Sequence, residues 1–257
     1  MSTPSLSDVL EAAVLSVRAA GRHALDNSSR RGEIDVRFDH DVKLRLDREC
    51  QDRAEDVIRS IFPAHTLFGE EGGEYREEAD YLWIIDPLDG TVNYFHGVPL
   101  WGSSVACQVR GEIVAGAIFL PVLDECFTAT TEHATLCNGK PVQTSSAADL
   151  ADSLVLTGLS HNVKSEENMD VITSIAHRAR KIRVLGSASV DFCLVASGRA
   201  EAYFESSLHL WDWAAGGLIV QQAGAHFEVL EHYDAVRGRT LAVAPGVAQE
   251  LRALVAR

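Results

Sequence analysis

The run Tyr81-Leu-Trp-Ile-Ile85 passes without a break into Asp86-Pro87-Leu88-Asp89-Gly90-Thr91, and this junction constrains the fold more than any other stretch. Consecutive apolar, β-favouring residues with no polar alternation read as a strand covered on both faces, which places it inside a sheet with layers on either side. The chain then delivers two carboxylates to the strand's carboxyl end, where α/β proteins bind ligands. Pro87 restricts the turn, Gly90 lets the backbone approach a ligand, and Thr91 opens a helix whose free N–H groups and dipole suit a phosphate. Alone, the same residues also describe a simple turn, since Asp-Pro and Asp-Gly are common turn dipeptides. Two carboxylates directly behind so apolar a strand favour the functional reading.

Upstream, Leu6, Val9, Leu10, Ala13, Val14 and Val17 recur at helical spacing behind Thr3-Pro4-Ser5, and Gly32 is expected to close that segment. The period then drops to two. Ile34, Val36 and Phe38 are answered by Val42, Leu44 and Leu46 across Asp39-His40-Asp41, a hairpin with one apolar face and a polar face carrying Arg37, Lys43 and Arg45. A second helix is expected from about Asp47, burying Cys50, Ala54, Val57, Ile58 and Ile61 and stopping before Phe62-Pro63. Beyond the central strand, Ser103–Val109 and Ile113–Leu120 flank Arg110-Gly111 as a hairpin, and Asn138-Gly139 marks another tight turn.

The texture changes after Ser145-Ser-Ala-Ala-Asp149. Strand-like Leu154–Leu156, Ile182–Val184, Ala202–Phe204, Phe227–Val229 and Leu241–Val243 mostly alternate with helical runs near 166–180, 187–197, 212–222 and 246–256. The expected organisation is residues 1–144 as an α+β unit built on an antiparallel sheet, and residues 145–257 as an α/β unit.

Composition narrows the functional classes. Among 257 residues, 46% are apolar, enough to bury a core. Lys and Arg number 23 against 37 Asp and Glu, a net charge of −14, and no basic run with interleaved aromatics reverses it locally, so no nucleic acid is expected as a ligand. Five scattered cysteines form no Cys-x-x-Cys pair, which disfavours zinc and a disulfide framework and fits a reducing cytoplasm. The segment Met1–Leu10 lacks the pattern of a secretory signal, no run is long enough to cross a bilayer, and no membrane partner is expected.

Several carboxylates acquire meaning only in company. Glu70 and Glu71, between glycines, read alone as a solvated acidic loop. If Glu70 folds toward Asp86 and Asp89, the crowded carboxylates stay ionised only when cations compensate them, which predicts divalent metals. Asp212, in Trp211-Asp-Trp-Ala-Ala-Gly216, offers a further carboxylate, with a helix N-cap as its plain alternative. The Asp89-Gly-Thr string does not fit a haloacid-dehalogenase phosphatase, because neither register leaves a second Asp two positions from the nucleophile.

Taken together, Gly69-Glu-Glu71, Trp83-Ile-Ile-Asp86-Pro-Leu-Asp89-Gly-Thr-Val-Asn93 and Trp211-Asp-Trp-Ala-Ala-Gly216 resemble, in order, the inositol monophosphatase family of metal-dependent, lithium-sensitive phosphatases. The similarity extends to Asn138-Gly139 and Gly186-Ser-Ala-Ser-Val190. It implies a layered αβαβα sandwich of the sugar-phosphatase type. It also implies Mg²⁺ ligands at Glu70, Asp86, Asp89, Asp212 and the Leu88 carbonyl, with a phosphate lying against Gly90 and Thr91. Thr91 and Glu70 would orient and deprotonate a metal-bound water, with no covalent intermediate. Asp47 falls where the family has an Asp supporting that threonine and a third, looser metal, although Leu44-Arg-Leu46 stand where family members place Thr or Ser; a helix cap is the equal alternative for Asp47.

For the substrate, Glu205 matches a glutamate that binds the inositol ring in relatives, with Ser187 and Ala188 as neighbouring lining; a strand-end surface residue is the alternative for Glu205. His96 and His209 lie near the site blocks and have no required role. The resemblance implies hydrolysis of inositol 1-phosphate or a related polyol phosphate by a protein that is often dimeric. Histidinol phosphate, fructose 1,6-bisphosphate and 3′-phosphoadenosine 5′-phosphate are alternatives on the same mechanism, and a non-catalytic binding protein is the alternative of a different class.

Overall fold

Ser5 opens the first helix: its hydroxyl accepts the Asp8 N–H at 3.2 Å while the Asp8 carboxylate takes the Ser5 N–H at 3.2 Å, a reciprocal cap. The computed structural model describes residues 4–38, 42–159 and 165–256. In it α1 (Leu6–Asp26) buries Val9, Ala12, Ala13, Val17, Ala20 and Ala24. It stops well before Gly32, because the Asn27 N–H and side-chain amide both return to the His23 carbonyl and end the ladder.

The hairpin that follows pairs β1 (Ile34–Arg37) with β2 (Val42–Leu44); its expected turn, Asp39–Asp41, lies outside the described residues. Only half of the expected apolar face is buried. Val42 and Leu44 are covered and Ile34 packs against the core at its edge, whereas Val36 and Phe38 are 43% and 52% exposed, since β1 is the outer strand. Leu46 belongs to α2 (Arg45–Ile61), which starts ahead of Asp47 and buries Leu46, Cys50, Ala54 and Ile58 but leaves Ile61 exposed.

The strands that follow build one large sheet. They are β3 (Thr66–Gly69), β4 (Gly72–Gly73), β5 (Tyr81–Asp89), β6 (Gly102–Val109), β7 (Glu112–Leu120), β8 (Glu125–Thr130), β9 (His133–Cys137) and β10 (Lys140–Pro141), with α3 (Thr91–His96) between β5 and β6. Their order is β10-β9-β8-β7-β6-β5-β3-β4, antiparallel except for β3 beside β5. The central strand is covered on both faces: Leu82 and Ile84 enter one core while Trp83, Ile85 and Leu88 enter the other. Arg110-Gly111 and Asn138-Gly139 turn with positive φ at both residues, as two-residue hairpins require.

The second sheet holds β11 (Leu154–Thr157), β12 (Lys181–Arg183), β13 (Ala202–His209), β14 (His226–His232) and β15 (Arg237–Val243), in the order β12-β11-β13-β15-β14. Its parallel pairs are β11 with β12 and β11 with β13. The helices are α4 (Ser165–Ala176), α5 (Ala188–Ala196), α6 (Leu210–Gln222) and α7 (Ala248–Val255). Helices α1 and α2 cover the outer face of the large sheet, α5 and α6 lie between the sheets, and α4 and α7 cover the far face of the small one. The result is an αβαβα sandwich. Apart from the two-stranded β1–β2 hairpin, the strands before residue 145 make one sheet and those after it make the other, and α5 and α6 close the core between them.

No cysteine is in a disulfide, and burial raises the Cys50, Cys107, Cys126 and Cys193 thiols, so none is activated as a nucleophile. Among the described residues no helix is long and apolar enough to cross a membrane.

The central layer depends on a close fit at Gly216 of α6, where a Cβ would stand 2.3 Å from the fully buried Phe192 ring of α5. Gly216→Ala is expected to cost about 1–3 kcal/mol through overpacking. Urea unfolding checks this, and an unchanged midpoint would show that Phe192 can move aside.

Candidate metal and phosphate site

Four backbone arrangements bring carboxylates to the end of β5. Asp86 ends the apolar run and accepts the Leu88 N–H at 3.2 Å. Asp89 follows the Pro87 turn and meets the start of α5: its Oδ2 accepts the Ser187 hydroxyl and the Ser189 N–H, both at 2.6 Å, and its Oδ1 accepts the Ala188 N–H at 3.3 Å. Asp212, in the first turn of α6, reaches back to the His209 N–H at 2.7 Å. Carboxylate oxygens of Asp86, Asp89 and Asp212 all lie within 4.8 Å of one another. Glu70 comes from the β3–β4 turn. Its N–H donates to the Ile85 carbonyl at 3.0 Å, one step beyond the Gly69–Ile85 pair, which places it beside Asp86.

Gly90 and Thr91 lie directly against this cluster. Gly90 has φ +85°, and a Cβ there would meet the Leu100 carbonyl and the Ser187 Cβ at 3.1 Å. The Thr91 hydroxyl donates to the Leu88 carbonyl at 3.0 Å. Asn93, on the same short helix, donates to the Leu100 and Leu185 carbonyls at 2.7 Å each and so ties the turn to the segment entering α5.

Asp47 is not the N-cap residue of α2, yet it does cap the helix start, because its carboxylate takes the N–H of the N-cap residue Leu44. It sits in the first turn of α2, 3% exposed, with Oδ2 accepting the Leu44 N–H at 2.6 Å and Oδ1 buried without a hydrogen-bond partner. Glu205 is 7% exposed, so it is not a strand-end surface group; it accepts the Tyr203 hydroxyl at 3.3 Å. Gly158, after β11, makes room for it, since a Cβ at that position would overlap the Glu205 carboxylate at 1.6 Å. Ser187 and Ala188, expected beside the substrate, direct their hydrogen-bond donors to Asp89. His209 stacks on Trp211 with ring centroids 4.5 Å apart, and His96 is exposed at the end of α3.

The turn that carries Glu70 is pinned rather than solvated. Gln51 accepts the Glu71 N–H at 2.8 Å, in space that a side chain at Gly69 would fill. Lys43 on β2 holds Glu71 at 2.6 Å and stands 3.9 Å from Glu70, while the Glu71 side chain is only 6% exposed. Burial alone would lower the Lys43 ammonium, but the hydrogen bond to Glu71 and the charges of Glu70, Glu71 and Asp47 hold it above its ordinary value. Ser189, Gln51, Lys43 and Gly158 carried no local sequence signal for these contacts, which all join residues distant in the chain.

Electrostatically the cluster is a sink for cations. Burial first, and then mutual repulsion with Glu70, Asp89 and Asp212, raises Asp86; burial, Asp89 and Glu70 raise Asp212. Burial also raises Asp89, against the opposing hydrogen bonds from Ser187, Ser189 and Ala188. Among the described residues no lysine or arginine pairs with Asp86, Asp89 or Asp212. An all-oxygen donor set of this kind fits a hard divalent cation such as Mg²⁺.

The layer order and the carboxylates at the end of the central strand define the sugar-phosphatase class of folds. The sequence profile of the inositol monophosphatase family matches residues 5–256, and the chain belongs to that Mg²⁺-dependent family. The chain is 35% identical over 228 residues to a Pseudomonas aeruginosa protein named Nus factor SuhB, covering 85% of this chain and 84% of that one. It is 33% identical over 231 residues to the chloroplastic phosphatase IMPL1 of Arabidopsis thaliana, covering 86% of this chain and 62% of that one. The structure of an inositol monophosphatase from Anabaena (Nostoc) aligns with a TM-score of 0.86 at 27% identity, over 97% of this chain and 96% of that one.

A pH dependence follows from the buried acids. Asp47 is pushed from 3.8 to about 8 by burial first, with the Leu44 N–H opposing and Glu70 and Glu71 adding to the rise. Glu205 is pushed from 4.5 to about 7 by burial, against its bonds from Tyr203 and the Ser206 N–H. Because these folded-state values are raised, their contribution to stability is full below the unfolded values and is lost as pH rises through about 7 to 8. Asp86, Asp89 and Asp212, the groups that would hold the cations, are raised in the same direction, so cations that replace their protons should also matter most at high pH. The Tm gap between Mg²⁺-loaded and chelator-treated protein is expected to widen from about pH 5 to about pH 8; a constant or narrowing gap would contradict the electrostatic picture.

Proposed function

We propose that the protein is a phosphoric monoester hydrolase, an Mg²⁺-dependent phosphomonoesterase acting on inositol 1-phosphate or a related polyol phosphate. The observation that carries this reading is the convergence of Asp86, Asp89 and Asp212 within 4.8 Å, beside Glu70 and next to Gly90 and Thr91. Asp86, Asp89, Asp212, Glu70 and the Leu88 carbonyl would hold the ions. When bound, these would neutralise the carboxylates, acidify the attacking water and stabilise the departing alkoxide in an in-line displacement.

The protein's own groups do the positioning. The backbone at Gly90 and Thr91 receives the phosphate at the start of α3. The Thr91 hydroxyl and Glu70 orient the attacking water and take its proton, with Asp47 supporting Thr91 from the start of α2. Asp89 and Asp212 border the ester, and Ser187 and Ala188 act through Asp89 by fixing its carboxylate. Glu205, seated against Gly158 and Tyr203, accepts hydrogen bonds donated by the hydroxyls of a polyol, which a bare alkyl phosphate lacks.

A small phosphate ester is the partner in this reading, and the net charge of −14 argues against a nucleic-acid surface. The family resemblance supports a cytoplasmic homodimer that is inhibited by Li⁺. Histidinol phosphate, fructose 1,6-bisphosphate and 3′-phosphoadenosine 5′-phosphate would meet the same ion-binding groups and differ at Glu205.

The test is phosphate release from inositol 1-phosphate by purified protein in Mg²⁺, in excess chelator and with Li⁺ added. Release is expected in Mg²⁺ alone. Asp89→Asn should keep the fold and lower turnover by more than about 100-fold, beyond what loss of an outer-shell partner produces. Near-wild-type turnover in Asp89→Asn would refute the metal mechanism, and release from another ester of the set but not from inositol 1-phosphate would correct the substrate.

A further inference from the structure

The acidic site has two unlike parts. The inner trio, Asp86, Asp89 and Asp212, is paired with no lysine or arginine among the described residues. The outer part, Glu70, Glu71 and Asp47, has one: Lys43, whose Nζ is 2.6 Å from Glu71 Oε1 and 3.9 Å from Glu70 Oε1. The lysine side chain is 30% exposed, yet both of its ends are held. It projects from β2 immediately before Leu44, whose N–H fixes Asp47 Oδ2, and it reaches a Glu71 that is 6% exposed and pinned by Gln51. The other oxygen of Asp47, Oδ1, is buried without a partner and lies within the field of Lys43, Glu70 and Glu71.

We propose that Lys43 is a tethered cation that supplies the positive charge on the outer side of Glu70, so that the site takes divalent ions only on its inner side, two per chain. The inference rests on the metal-dependent reading given above. An ammonium is a compact, strongly hydrated point charge with three donors, well suited to stand where a loosely held hydrated ion would otherwise collect against Glu70 and Asp47. A divalent ion on the outer oxygen of Glu70 would share that space with a like charge. The neighbouring residues offer no other means of holding such an ion: Leu44 and Leu46 have no hydroxyl beside Asp47, and their side chains are buried in the core. Lys43 is accordingly a positioning residue. It steadies the Glu70–Glu71 turn and limits how many ions the carboxylates collect, without itself touching the ester.

Mn²⁺ titration followed by electron paramagnetic resonance counts the free and bound ions directly, independently of turnover. The wild-type chain is expected to bind two Mn²⁺ ions, Lys43→Met a third, and Lys43→Arg, which keeps the charge, two again. Three ions on the wild-type chain, or the same count in wild type and Lys43→Met, would overturn the role given to Lys43 while leaving the metal-dependent reading intact. Failure of the wild-type chain to bind Mn²⁺ would overturn both. A Tm for Lys43→Met close to that of wild type, measured in the same buffer, identifies a changed count as a property of the site rather than of a damaged fold.

Discussion

Mutual repulsion among buried carboxylates is the interaction around which the rest of the structure is arranged. Asp47, Asp86 and Asp89 are each at most 9% exposed, and Asp212 lies with the last two. An unpaired buried charge is expensive, and several together are more so. The fold meets this with backbone hydrogen bonds. Asp47 takes the Leu44 N–H at the start of α2, Asp89 the Ser189 N–H at the start of α5, and Asp212 the His209 N–H at the start of α6. Helix starts carry unsatisfied N–H groups and the positive end of the dipole, so α5 and α6 aim the same kind of partial positive charge at the cluster, and α2 aims it at Asp47, within the field of Glu70. These bonds orient the carboxylates without removing the repulsion, which leaves an affinity for cations.

Convergence of those helix starts is a packing problem. Helix α6 touches both sheets, and its approach to the large one depends on Gly116 of β7, where a Cβ would be 3.0 Å from the Ala215 backbone. On its other side Gly216 meets Phe192 of α5. Small residues on α6 and β7 therefore set how closely Asp212 approaches Asp86 and Asp89. Asn93 adds a polar tie, bridging the segment before β6 and the entry to α5 through two carbonyls. A chain reading Ala or Leu at these glycines would fold its sheets farther apart, and the carboxylates with them.

What could be read from the sequence was what is encoded locally. The apolar run of β5, the Asn138-Gly139 turn and the helices of the second half announce themselves within a few residues, and the motif blocks identify the family. Leu46 shows where local reading fails. It continues the period-two pattern of Val42 and Leu44, yet it also begins the period-four series Leu46, Cys50, Ala54, Ile58, and the helix wins because α2 can bury that whole stripe against α1 and the sheet. Strands β3 and β8 gain their place from the neighbours they pair with. The engagement of Ser187 with Asp89, of Gly158 with Glu205 and of Lys43 with Glu71 joins distant residues, and no periodicity reports such pairs.

The two sides of the acidic cluster differ in how permanent their compensation is. On the inner side the partners are N–H groups and hydroxyls, which orient a carboxylate but carry no full charge, so neutrality must come from protons or from ions in solution. On the outer side the chain carries Lys43 as part of itself, at a distance set by β2 and by the pinned Glu70–Glu71 turn. Glu70 stands between the two. Its backbone is locked into the parallel ladder beside Asp86, while its side chain lies within reach of the lysine. That position makes Glu70 the residue through which a fixed charge on one side can influence the ion-binding carboxylates on the other, and it explains why the turn carrying it is held by a strand, a helix glutamine and an ion pair instead of being left as a solvated acidic loop.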